Sequence, residues 1–151
     1  MTARVLIVED NPANLSLMEY LLTAFGYTVL TAADGAEGIE VAHRELPDVI
    51  LMDLQMPKLN GFEAASRLKA DPVLKSIPIV AVTAFAMVGD RDKILAHGFD
   101  GYIAKPIAPE IFVDQVQAFI PSDLLSSRSP ASHETEPVPP ASPIGRTDGA
   151  T

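Results

Sequence analysis

Five side chains able to do chemistry stand directly at the ends of apolar runs in this 151-residue sequence. Glu9 and Asp10 follow "RVLIV", Asp53 closes "DVILMD", Thr83 closes "IVAVT", and Lys105 follows "GYIA". A run built only for burial would end in a neutral turn, so a carboxylate at its tip asks for another reason. Three carboxylates brought close together cannot all ionise unless something compensates them. A hard divalent cation does so, and oxygen-only donors with open positions suit Mg²⁺. Lys105 adds a second positive charge and Thr83 a hydroxyl donor. An acceptor carboxylate, a metal, a cationic clamp and a hydroxyl are the equipment of phosphoryl transfer, where positioning and charge neutralisation do most of the work. Taken singly, each residue also has a plain structural use. Asp10 before Asn11-Pro12 suits a helix cap, Asp53 a turn, Thr83 an ordinary strand position and Lys105 a solvated surface. Five such coincidences on one rim are improbable, so the joint reading is preferred.

The elements that must carry these residues alternate along residues 1–121. Arg4–Val8 reads as a strand buried on both faces. Leu15, Met18, Leu22 and Phe25 recur at helical spacing and Gly26 stands where a helix stops. Thr28–Ala32, Val49–Met52, Ile79–Thr83 and Gly101–Ala104 read as further strands. Ala36, Ile39 and Ala42 mark a second helix, and Phe62, Ala65 and Leu68 a third. Ile94 and Leu95 lie in a fourth that stops near Gly98, and Phe112, Val116 and Phe119 mark a fifth. Five strand-then-helix units imply an α/β fold, a parallel sheet covered on both faces. About 120 residues suit a doubly wound sheet better than a barrel of roughly 250. In such sheets ligands sit beyond the carboxyl ends of the strands, where the five residues fall.

Composition excludes several classes. There is no cysteine, hence no disulfide frame, thiolate zinc site or cysteine nucleophile. The N-terminal apolar run is too short for a signal peptide, and no stretch approaches the about 20 apolar residues of a membrane span. These features suggest a cytoplasmic protein. The net charge is −9 and the basic residues are scattered, which argues against nucleic-acid binding. His43, His97 and His133 have no partners at ligand spacing and read as ordinary surface residues. From Ser122 to Thr151 the chain holds five Pro and six Ser, with only Leu124, Leu125 and Ile144 as strong apolar anchors. That segment reads as a flexible tail or linker following a domain of residues 1–121.

The stretches "VLIVEDNPAN", "DVILMDLQMPKLNG", "VAVTA" and "YIAKPI" resemble, in order and spacing, the receiver domains of bacterial two-component response regulators (CheY-like). The resemblance covers residues 4–121. It implies a flavodoxin-like (βα)5 fold with a doubly wound five-stranded parallel sheet in the order 2-1-3-4-5. It implies that Asp53 is the phosphoacceptor, attacking the phosphorus of a partner's phosphohistidine. Glu9 and Asp10 would hold Mg²⁺, with Asp53 and the backbone carbonyl of Gln55 completing the protein ligands. Lys105 would contact a phosphoryl oxygen, and the Lys105–Pro106 bond would be cis. Thr83 would be the switch hydroxyl and Tyr102 the switch aromatic that turns inward with it. Gln55 and Phe85 would flank the attacking water, where a bulky Phe85 could shield the phosphate for minutes or longer. Met56 reads as packing and Gly61 as a turn.

The implied partners are a sensor histidine kinase or phosphotransfer protein on the donor side and a protein target downstream. Nothing of domain size follows Pro121, so output should run through protein contacts, without DNA or membrane. The reporting face is that of helix 4, strand 5 and helix 5, which carries Phe85, Met87, Val88, Ile107, Ile111 and Phe112. Most of these are expected in the core, with one or two exposed as a docking patch. A homodimer could form through this face or through the tail. Three other readings compete: a phosphate-independent binding module, a receiver fragment of a larger hybrid kinase, and an enzyme that turns over phosphoesters. The intact acidic set argues against the first, and Gln55 cannot serve as the general acid that the last would want.

Overall fold

A computed structural model describes residues 3–56, 60–85 and 87–121. Five strands and five helices alternate: β1 Arg4–Val8, α1 Pro12–Ala24, β2 Thr28–Ala32, α2 Gly35–Glu45, β3 Val49–Asp53, α3 Gly61–Ala70, β4 Ile79–Thr83, α4 Val88–Ala96, β5 Gly101–Ala104 and α5 Pro109–Gln117. All pairings are parallel and the sheet order is β2-β1-β3-β4-β5, as the resemblance implies. The inner strands explain the continuous apolar runs. Every residue of β3 and β4 is buried, because helices cover both faces. Fully burying each Val, Leu or Ile contributes roughly 1.5–3 kcal/mol, so register at the sheet centre is strongly set.

Helix starts follow local chemistry. Asn11 caps α1 by accepting the Asn14 N–H (3.0 Å), and Pro12 takes the first helical position. Asp10 is therefore not the cap. Asp34 and Asn60 cap α2 and α3 in the same way, accepting the N–H groups of Glu37 (2.8 Å) and Glu63 (3.0 Å). Gly26 and Gly98, at φ 98° and 95°, turn the chain out of α1 and α4. The α1 face is narrower than the spacing suggests. Met18 and Leu22 are buried, whereas Phe25 lies outside the helix and stacks on Tyr27. Phe119 likewise falls just past α5, its ring over Gly101 at the start of β5, where a Cβ would lie 2.2 Å from the ring.

The expectation that most of the six apolar residues near α4 and α5 are core needs correction. Ile107 and Phe112 are buried, but Phe85, Met87 and Ile111 are exposed; the side chain of Val88 lies outside the described ones. Leu95, within α4, is exposed as well. Among the described residues no helix is long and apolar enough to cross a membrane. The segment 122–151, with Leu124, Leu125, Ile144 and His133, lies outside the described residues, as does Pro57 of the loop after β3.

Candidate functional site

Register assembles the site. Val8 pairs with Met52, so Glu9, one residue on, stands beside Asp53. Asp53 pairs with Val82 and Thr83 with Ala104, which sets Thr83 and Lys105 on the same rim. Asp53 is the last residue of its strand and is 2% exposed. Carboxylate oxygens of Glu9, Asp10 and Asp53 lie within 4.8 Å of one another. Glu9 is buried and Asp10 exposed, so the group opens to solvent on one side.

Lys105 is the counter-charge. Its Nζ lies 3.2 Å from Asp53 Oδ1 and 3.3 Å from Glu9 Oε1. It is thus a partly buried clamp, and the solvated alternative is excluded. Three carboxylates against one ammonium leave an excess of negative charge. Two groups show the strain. Burial, then the neighbouring Asp53 carboxylate, with which a protonated Glu9 can share its proton, push Glu9 up to about 7. Burial alone would pull Lys105 down, but the charges of Asp53 and Glu9 outweigh it and raise it. Glu9 Oε1 is also the buried side-chain oxygen, among the described residues, that lacks a hydrogen bond.

These features fit a hard divalent cation. The donors are all oxygen, and the charge that three carboxylates hold in excess of one ammonium matches its valence. Glu9, Asp10 and Asp53 are the side chains that can hold it. The Gln55 backbone is adjacent, its N–H donating to Asp53 Oδ1 (3.1 Å). The Lys105–Pro106 bond is cis.

Thr83 and Tyr102 sit to one side. Phe85 N–H donates to Thr83 Oγ1 (2.9 Å), and the hydroxyl lies 3.5 Å from the Phe85 carbonyl. Thr83 lines a cleft of about 140 Å³ with Leu54, Gln55, Phe62, Phe85, Asp90 and Lys93. The Phe85 side chain is 58% exposed at this cleft. Tyr102 on β5 packs partly buried against the core, with the Arg91 guanidinium carbon 5.4 Å from its ring centroid.

Two contributors are not evident from residue type. Asn11 both caps α1 and donates its backbone N–H to Glu9 Oε2 (3.1 Å), and the Asn-Pro pair is the signal that could have located it. Gly61 is more than a turn. A Cβ there would lie 2.5 Å from the Asp53 carbonyl oxygen and 2.8 Å from Leu54 Cα, so α3 can start only by closing directly on the strand tip. Met56 packs in the core. His43 and His97 are engaged elsewhere. His43 Nε2 meets Asp71 Oδ2 at 2.9 Å, and His97 Nδ1 meets the Lys93 carbonyl at 2.8 Å.

Residues 5–117 match the family model described as the response regulator receiver domain. The polar-differentiation response regulator DivK of Brucella ovis is 42% identical over 120 residues, which cover 80% of this chain and 98% of that protein. Its counterpart from Brucella anthropi is 41% identical over the same spans. Among solved structures, the chemotaxis response regulator CheY4 of Vibrio cholerae superposes with TM-score 0.76 at 31% identity, covering 80% of this chain and all of that one. The receiver domain of the sensor histidine kinase PA1611 from Pseudomonas aeruginosa, with a magnesium ion coordinated in its active site cleft, gives TM-score 0.72 at 36% identity over 79% of this chain and 98% of that one.

Proposed function

Because the chain belongs to the receiver domain family of response regulators, we propose that it accepts a phosphoryl group on Asp53 and signals through phosphorylation-dependent protein contacts. The observation that carries this reading is a carboxylate 2% exposed at a strand tip, held by a lysine and flanked by two more carboxylates. Burying an ion costs several kcal/mol unless it is compensated, and a site that retains three acids at one point needs a use for them.

The chemistry follows from the positions. Asp53 supplies the attacking oxygen. The bond to phosphorus forms as the phosphorus–nitrogen bond of a donor phosphohistidine breaks, and the electron pair returns to the imidazole. Glu9, Asp10, Asp53 and the backbone carbonyl of Gln55 would hold Mg²⁺, which when bound neutralises the charge of the phosphoryl oxygens. Lys105, which lies against Asp53, would contact a further phosphoryl oxygen. Thr83 Oγ1 would leave the Phe85 N–H for the phosphoryl group, with Tyr102 turning inward behind it.

Residues 1–121 form the receiver in this reading and 122–151 a tail or linker. The donor is a sensor histidine kinase or phosphotransfer protein. The target is a protein that reads the α4–β5–α5 face, where Phe85, Met87, Leu95 and Ile111 are exposed. A homodimer through that face is one form such a contact can take. The protein works as a phosphoacceptor in the cytoplasm, not as a turnover enzyme. Intact-mass measurement after incubation with a small phosphodonor tests the reading. Magnesium-dependent addition of one phosphate, lost in Asp53→Asn, is expected; no uptake by the wild type would refute it.

A further inference from the structure

Helix α4 is thinly anchored. Among its described side chains only Ile94 is buried. Its N-cap residue, Met87, contributes no side-chain hydrogen bond, and a Cβ on Gly89 in the first turn would meet open space. Two cation–aromatic contacts add to this hold. The Arg91 guanidinium carbon lies 5.4 Å from the centroid of Tyr102 on β5, and Lys93 Nζ lies 4.8 Å from the centroid of Phe62 on α3. Residues two apart on a helix point about 200° apart, so the pair braces α4 on opposite flanks.

The Arg91 contact differs in kind from the other, because Tyr102 is the ring that the phosphoacceptor reading expects to move. In the present arrangement Thr83 Oγ1 is engaged by the Phe85 N–H at 2.9 Å, and the Tyr102 ring is under Arg91. On that reading an inward turn of Tyr102 would carry the ring away from Arg91 and end the contact. An interaction made in one of two states shifts their balance by its own free energy. Resting on that reading, we infer that Arg91 is a positioning residue that sets the activation equilibrium by holding Tyr102 in its resting place.

The consequence is counter-intuitive for a cation near an anion site. If Arg91 acted as a distant charge, its removal would weaken binding of a phosphoryl group. If it holds Tyr102, its removal enlarges the binding-competent fraction and tightens binding. An exposed cation–π contact corresponds to a change of about two- to fivefold.

The test is the affinity for beryllofluoride, a phosphoryl mimic, with saturating Mg²⁺, by calorimetry on the full chain. Arg91→Gln is expected to tighten it about two- to fivefold, Arg91→Lys to tighten it less, and Arg91→Gln within Tyr102→Leu to leave it unchanged from Tyr102→Leu alone. The resonances of the Tyr102 ring should move toward their beryllofluoride-bound positions in Arg91→Gln before any ligand is added. Unchanged or weakened affinity in Arg91→Gln overturns the assignment, as does equal tightening in the Tyr102→Leu background. A wild type that binds no beryllofluoride, or binding that survives in Asp53→Asn, overturns the phosphoacceptor reading itself and the role of Arg91 with it.

Discussion

At the scale of single residues, Glu9 bears the conflict between folding and function most openly. It is 1% exposed, its Oε1 lacks a hydrogen bond, and without a metal its carboxyl is pushed up to about 7 from the usual 4.5, chiefly by burial. A carboxyl raised on folding favours the native state when protonated. Its contribution is therefore complete below about 4.5 and is lost as pH rises through about 7. Glu9→Gln removes this dependence. In chelator, the variant should gain stability over wild type progressively between those two values, read from denaturant midpoints at a series of pH values. A difference that stays constant across that window would contradict the placement. With Mg²⁺ the gap should narrow, because the neutral amide of the variant cannot offset the charge of the ion as a Glu9 carboxylate would. At a concentration about a hundredfold above its dissociation constant, Mg²⁺ should stabilise wild type by about 2.7 kcal/mol and the variant by much less. The acids, the threonine and the lysine were legible from their places after apolar runs. The assistance of Asn11 was not, because a backbone N–H leaves no mark on residue type.

At the scale of elements, α3 and α4 make opposite predictions about glycine. Gly61 opens α3 within 2.5 Å, at its Cβ position, of the Asp53 carbonyl oxygen. Gly61→Ala must shift a helix or the strand tip, neither of which yields as a side chain would. It should destabilise by about 1–3 kcal/mol and slow phosphate uptake on Asp53, followed by thermal melting and intact mass. Gly89 sits in the exposed first turn of α4 with nothing near its Cβ position. Gly89→Ala should stabilise by about 0.5 kcal/mol, through helix propensity and a stiffer unfolded chain. Strands were readable almost to the residue, since burial on both faces leaves β3 and β4 apolar throughout. The exposure of Phe85, Met87, Leu95 and Ile111 was not readable, because apolar character alone does not tell a buried side chain from an exposed one.

For the molecule as a whole, the parallel order β2-β1-β3-β4-β5 places four strand ends on one rim. The site is thus a product of topology, with residues 9, 53 and 105 joined by the sheet across long stretches of sequence. Among the described residues the core runs from Ala3 to Ile120. Removing residues 122–151 should therefore leave the melting temperature within about 2 °C and magnesium-dependent phosphorylation intact, since the deletion removes none of these buried contacts. A chain of residues 1–121 that fails to fold would make the tail part of the domain.

The central claim is that Asp53 becomes an acyl phosphate. Borohydride reduction after phosphorylation converts an aspartyl phosphate to homoserine, and peptide mass mapping locates it. Homoserine at position 53 alone, dependent on Mg²⁺, is the predicted result. Homoserine at position 10 or no reduced residue in a protein that has gained phosphate would contradict the account.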